Sequence, residues 1–211
     1  MTAAVSVEFV YLASQSPRRA QLLTQLGVRH ELLLADGNED AEALEAVKPN
    51  EAPAAYVKRV TALKLDAAVA RMVRRGLQNA PVLCSDTTVA LGREIYGKPR
   101  STRDAQRMLT ALSGQTHRVL TAVAVQANGK EGAVGARHVA CCVSQVQFEA
   151  MTPAQVKAYV ATGEPLGKAG AYAVQGGAAL HITRISGSYS GIMGLPLYET
   201  AQLLRAAGLT V

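Results

Sequence analysis

Apolar and polar positions along the 211-residue chain resolve it into alternating strands and helices. Phe9 to Ala13 is a short unbroken apolar run that predicts a buried strand. A tight turn follows, and then a helix with Ser16 as N-cap, Pro17 in the first helical position and Gly27 as the stop. Glu31 to Ala35 reads as a second short strand, followed by an acidic loop, 36–50, that holds Asp36, Glu39, Asp40, Glu42 and Glu45. Pro53 opens a long helix to about Arg75, ended by Gly76, with Val57, Val60, Ala67 and Ala68 on its apolar stripe. Pro81 to Leu91 is the clearest strand, and Gly92-Arg93 turns it back into Glu94-Ile95-Tyr96. A helix over about Ser101–Leu112 points Ala105, Met108, Leu109 and Leu112 inward. Two long strands, His117–Ala127 and Arg137–Phe148, flank Asn128-Gly129 and a glycine-containing loop. Thr152-Pro153-Ala154-Gln155 is a capping box that starts a helix to about Thr162. The glycine-rich stretch Gly163–Gly194 carries a strand over about Ala178–Ile185, and Leu195-Pro196 opens a last helix to about Ala207. This order predicts an α/β fold, a curved mixed sheet with flanking helices, without internal repeats or linkers.

Composition narrows the function classes. Hydrophobic residues make up 49% and charged residues 18%, which excludes a disordered chain. A balance of 22 basic to 16 acidic residues gives +6 and suits an acidic partner. The basic residues are scattered, and with no Trp and two Phe there is no basic stripe with stacking aromatics. A small anionic substrate therefore fits better than nucleic acid. Cys84, Cys141 and Cys142 form neither a disulfide framework nor a metal-ligand spacing and read as reduced thiols. No stretch has the length of a membrane span and the N-terminus lacks a leader pattern, so the expected location is the cytoplasm and no membrane partner is expected.

Four places carry candidate chemistry. In Ser14-Gln15-Ser16-Pro17-Arg18-Arg19 two arginines occupy a first helical turn, where the macrodipole disfavours cations. An anion would complete that turn, bound by backbone N–H groups, both guanidiniums and the hydroxyls of Ser14 and Ser16. Asp86 lies inside an apolar strand and must be bonded to backbone, paired, metal-bound or facing a cleft. Lys64, on the apolar stripe of the long helix, either snorkels to its edge or points into a cleft. Lys98 follows Asp86 by twelve residues across a tight hairpin, which could bring acid and lysine to one site. Gln175, in the glycine-rich segment, offers a donor and an acceptor suited to a pyrimidine edge. No histidine pair has zinc spacing, and no nucleophile elbow or Walker loop occurs. Acids, lysines and arginines remain, a set suited to phosphate chemistry.

These segments, in this order, resemble the Maf family of nucleoside triphosphate pyrophosphatases. The likeness runs through Ser14 to Arg19, Lys64, Ser85-Asp86-Thr87, Gly97-Lys98-Pro99, Leu112 to His117, Lys168-Ala169-Gly170-Ala171-Tyr172, Gln175-Gly176 and Gly194-Leu195-Pro196. It implies a single Maf-like catalytic domain over 1–211, with the two-lobed, deep-cleft α/β fold of Maf and ITPase-like proteins. It also implies hydrolysis between the α- and β-phosphates of a nucleoside triphosphate, with Mg²⁺ or Mn²⁺ as cofactor, and a homodimer. By the same resemblance Ser14, Arg18 and Arg19 hold the phosphates, and Lys64 and Lys98 neutralise phosphoryl charge. Asp86 binds the metal or activates water, and Glu39 is a further metal or catalytic neighbour. Asp86-Thr87 and Gln175-Gly176 match the branch acting on dTTP and UTP, which makes Arg18, Thr87 and Gln175 the specificity residues. The branch acting on 7-methyl-GTP carries Asp-Gln and Glu-Gly at these places, and some family proteins are associated with septation. A 7-methyl-GTP pyrophosphatase and a nucleotide-binding regulator of cell division are thus the alternatives. Two departures bear on substrate preference: Gly176-Gly177-Ala178 replaces the usual Gly-x-Gly, and Gly167 replaces an acid before Lys168.

Overall fold

The computed structural model describes residues 9–37, 39, 43–129 and 134–211. Its strands are β1 (Val10–Leu12), β2 (His30–Leu32), β3 (Val82–Leu91), β4 (Glu94–Tyr96), β5 (Thr116–Asn128), β6 (Val134–Phe148) and β7 (Ile182–Ser186). They form one sheet in the order β2-β1-β3-β5-β6-β7, with β4 pairing to β3 off this path. β1 pairs parallel to β2 and β3, and all other pairings are antiparallel, so the sheet is mixed.

The helices are α1 (Pro17–Gln25), α2 (Pro53–Arg74), α3 (Thr102–Leu112), α4 (Pro153–Ala161), α5 (Tyr189–Met193) and α6 (Leu197–Ala206). One face of the central strand β3 is covered by α2, whose Val57, Val60, Leu65 and Ala68 pack in the clusters holding Cys84 and Ala90. On the other face the apolar interior divides. α1 and α6 pack with Leu83, while α3 and α4 pack with Val89. Side chains alternate along a strand, so Asp86 faces α2 and Thr87 faces the other layer. Burial of these leucine, valine and aromatic side chains, each worth about 1.5–3 kcal/mol, is what holds the layers together.

Local signals read from sequence set most element ends. Gly27 adopts φ +72°, a conformation that ends α1 without the strain a Cβ would bring. The box at Thr152 and Gln155 is fully formed, with Thr152 N donating to Gln155 Oε1 at 2.7 Å. Three expectations change. Ser16 sits at the N-cap of α1, yet its hydroxyl caps nothing; instead the Ser16 N–H donates to Ser14 Oγ at 3.2 Å. The strand expected over Ala178–Ile185 is a 3₁₀ helix, Gly177–His181, followed by β7. Ala178 is buried while Leu180 is 84% exposed, so this apolar run turns over the core edge instead of lying in the sheet. A short helix, α5, also interrupts the glycine-rich stretch. The acidic loop contains a 3₁₀ turn, Ala43–Glu45. Asp40 and Glu42 of that loop, and residues 130–133 after Gly129, lie outside the described residues.

Candidate active site

The ladder between β1 and β3 ends at Leu83, and the ladder between β3 and β4 begins at Val89. Between them, residues 85–88 have β5 on one edge and a cavity of about 640 Å³ on the other. Every residue singled out from sequence, Ser14, Arg18, Arg19, Glu39, Lys64, Asp86, Thr87, Lys98 and Gln175, lines this cavity. Because Asp86 and Thr87 point to opposite faces of β3, the site has two halves that meet over the open edge.

The half on Thr87's side is built on the first turn of α1. Arg19 Nε donates to the Gly194 carbonyl at 2.8 Å, and its Nη1 donates to Ser14 Oγ at 3.1 Å. Its Nη2 reaches Thr87 Oγ1 at 3.4 Å, and Thr87 is paired across the sheet with Thr121, hydroxyl to hydroxyl at 2.9 Å. Thr121 in turn donates to the Gly191 carbonyl at 2.7 Å. Arg18 Nε lies 3.4 Å from the Met193 carbonyl. Burial, then the neighbouring Arg19, lowers the pKa of Arg18; burial, then Arg18, lowers that of Lys168. Among the described residues no carboxylate comes within salt-bridge distance of Arg18, Arg19 or Lys168. Arg18 and Arg19 thus carry their charge with no ion-pair partner among the described residues, while Lys168 donates to the Glu164 carbonyl at 2.5 Å and has the Glu164 carboxylate favouring its charge. Two such guanidiniums at one cavity wall suit an anion.

The half on Asp86's side is charge-paired. Lys64 Nζ donates to Asp86 Oδ1 and to Glu45 Oε1, each at 2.6 Å. Lys98 Nζ donates to the same Glu45 carboxylate at 2.9 and 3.1 Å. Burial disfavours the charge on Lys64, but Asp86 and Glu45 outweigh it and hold its pKa above the usual lysine value. Burial likewise opposes the charge on Glu45, and the two lysines overcome it, so its pKa is lowered. Asp86 Oδ2 has no hydrogen-bond partner among the described residues. That oxygen is free to meet a ligand in the cavity.

Glu39 stands apart from this cluster. Arg71 Nε and Nη2 donate to its two oxygens at 3.0 and 2.5 Å, and Arg74 donates to Oε1 at 2.7 Å. Hydrogen bonding from Arg71 leads the causes that hold its pKa at about 2. Glu45, which sequence reasoning left as one acid of a loop, is the carboxylate brought to Asp86. Its placement depends on Tyr56 of α2, whose hydroxyl donates to the Glu45 carbonyl at 2.9 Å. No spacing in the loop announces that bond. Thr121 was missed as well: it comes opposite Thr87 only through the pairing of β3 with β5, strands that β4 and α3 separate along the chain.

Among the described residues no group of three or more His, Cys, Asp or Glu could hold a metal ion. Asp86 and Glu45 nevertheless flank one cation, the Lys64 ammonium, and are hard oxygen donors. That fits Mg²⁺ or Mn²⁺, which take one or two carboxylates and complete their shell with substrate phosphates and water. No helix among the described residues is long and apolar enough to cross a membrane. Cys84, Cys141 and Cys142 are all free.

A curated protein of Albidiferax ferrireducens named dTTP/UTP pyrophosphatase is 68% identical over 97% of this chain and 99% of its own length. One of the same name from a Polaromonas species is 65% identical over 98% of this chain and 99% of its own. Among solved structures, the Ham1 protein of Staphylococcus aureus aligns over 66% of this chain and 71% of its own, at 13% identity and a TM-score of 0.38. The family profile described as "Maf-like protein" matches residues 9–207. The chain therefore belongs to the Maf family.

Proposed function

We propose that this protein is a nucleoside triphosphate pyrophosphatase that hydrolyses dTTP and UTP to the monophosphate and pyrophosphate. The observation that carries the reading is the two-sided cavity over the open edge of β3. An Arg18–Arg19 pair with no ion-pair partner among the described residues lies on one side, with Lys168 beside it, and the Lys64–Asp86–Glu45–Lys98 cluster on the other. The name shared by the high-identity relatives supports the same substrates.

Phosphoryl transfer asks the protein for positioning and for positive charge around the reacting oxygens. Ser14, Arg18 and Arg19 hold the phosphates, with the Arg19 fork fixed beforehand by Gly194, Ser14 and Thr87. Lys64 and Lys98 offset the charge that gathers on the departing pyrophosphate. Asp86 accepts a hydrogen bond from the attacking water at Oδ2 and holds its proton, while Lys64 fixes Oδ1. Water adds across the α–β anhydride, and the bridging oxygen leaves with pyrophosphate. Asp86 and Glu45 would hold a divalent cation, which when bound neutralises phosphate charge and acidifies coordinated water. Thr87 and Gln175, on the cavity wall, read the base.

Pyrophosphate release from a panel of dTTP, UTP, CTP, GTP and 7-methyl-GTP, with Mg²⁺ or Mn²⁺, tests the proposal. Turnover of dTTP and UTP above the others is the expected outcome. Release confined to 7-methyl-GTP would overturn the substrate assignment, and tight binding without turnover would favour a nucleotide-sensing role.

A further inference from the structure

Gln175 is exposed at the cavity wall, and its side chain makes no hydrogen bond among the described residues. Its backbone, by contrast, is held on both sides by two residues outside the cavity. Two positions before it, the Ala173 N–H donates to the Tyr159 hydroxyl at 3.3 Å. Two positions after it, the Gly177 N–H donates to Glu164 Oε2 at 3.0 Å. Tyr159 and Glu164 are themselves joined, the tyrosine hydroxyl donating to Glu164 Oε1 at 2.6 Å. Burial of Tyr159, then this bond, raises its pKa, so it stays a donor. Burial opposes the charge on Glu164, but the Tyr159 and Gly177 bonds lower its pKa on balance.

The glycines beside Gln175 fit the same arrangement. A Cβ on Gly176 would overlap the Glu164 carboxylate, and one on Gly177 would sit 3.4 Å from the Tyr159 ring. The Gly176-Gly177 pair is thus the space the clamp occupies.

We infer that Tyr159 and Glu164 are specificity-positioning residues, a clamp that fixes how far Gln175 reaches into the base pocket. The inference rests on the proposed reading of Gln175 as a base-facing residue. An amide can rotate to meet either a donor or an acceptor, so on its own it discriminates weakly by hydrogen bonding. A backbone that cannot retreat adds discrimination by size. Discrimination of that kind favours the smaller pyrimidine over the bulk of a purine.

The test compares kcat/KM for UTP and GTP in the wild type, E164Q, E164A, Y159F, G176A, E164A/G176A and Q175A, with a thermal melt of each. In E164Q the amide still accepts one bond but turns N–H groups toward a second donor, so one arm of the clamp is lost. The UTP-to-GTP ratio is expected to fall about tenfold in E164Q. G176A, which pushes a methyl into the carboxylate from the opposite side, should lower the ratio similarly, and Y159F should do so by less. The E164A/G176A double variant should be no worse than E164A, because the truncation clears room for the methyl. Parallel loss for both substrates, tracking the melt, would reduce the pair to a folding role and overturn the clamp. A ratio altered in Q175A but unchanged in E164Q, Y159F and G176A would overturn the clamp alone. A wild type that does not prefer UTP to GTP would overturn both the reading of Gln175 and the inference built on it.

Discussion

Lys64 Nζ lies 2.6 Å from Asp86 Oδ1, joining the inner face of α2 to the middle of β3. Each group answers the other's problem. A lysine on an apolar helix stripe and an acid in an apolar strand would both be costly if bare, and they neutralise one another. One oxygen of Asp86 is fixed by this bond and the other stays open to the cavity.

Asp86→Asn should cut kcat for UTP by at least about 10², because the amide cannot hold the proton of the attacking water. Lys98→Ala should fall to a similar extent, through loss of charge on the leaving side. Lys98 is half-exposed, so its variant should melt close to wild type. Steady-state kinetics with a thermal melt of each variant checks this, and near-wild-type turnover in either would remove that residue from the chemistry.

Glu45→Gln separates two uses of that carboxylate. If Glu45 shares a divalent cation with Asp86, the Mn²⁺ concentration for half-maximal rate should rise about tenfold, as expected when a carboxylate ligand becomes a neutral amide. An unchanged metal titration together with a lower KM would instead make Glu45 a competitor of phosphate for the two lysines.

Thr87→Val keeps the shape of the side chain and removes its hydroxyl from Thr121 and Arg19. KM for UTP should rise by about 5- to 10-fold, the scale of one lost net hydrogen bond, with a smaller change in kcat. A KM at the wild-type value would show that Gly194 and Ser14 alone fix the Arg19 fork.

His117 is 1% exposed, and its Nε2 lies 2.8 Å from the Tyr172 hydroxyl among Phe148 and Tyr172. Burial lowers its pKa to about 4. The unfolded chain therefore binds the proton first as pH falls from about 6.5, and stability is lost down to about pH 4, by about 3 kcal/mol in all. Urea midpoints across that window should fall for the wild type and fall less for His117→Gln, whose side chain does not titrate. Parallel curves would assign the acid sensitivity to carboxylates.

Much of this was legible because the signals were local. The capping box at Thr152, the stop at Gly27 and the apolar run of β3 depend on neighbours in the chain, so Asp86 and Thr87 could be placed on a strand from sequence. The 3₁₀ helix at Gly177–His181 was not legible, because the run Ala178-Ala179-Leu180 is apolar without being sheet-bound; Leu180 faces solvent. Glu45 was missed for a different reason. It reaches the site through a tyrosine on the following helix and two lysines 19 and 53 residues away, and no local pattern encodes such a meeting. Sequence marked Arg18 and Arg19 as an anion turn, but not that carbonyls of residues 193 and 194 would orient them.

Those last contacts span 175 positions of the chain. During synthesis, the arginine turn, both lysines and Asp86 leave the ribosome well before the segment that orients the guanidiniums. A partial chain would hold most of the charged groups, with Arg18 unaimed and Arg19 left to Ser14 and Thr87 alone. Affinity for a triphosphate thus becomes a property of the finished polypeptide, and nucleotide can stabilise only chains whose C-terminal third has already docked.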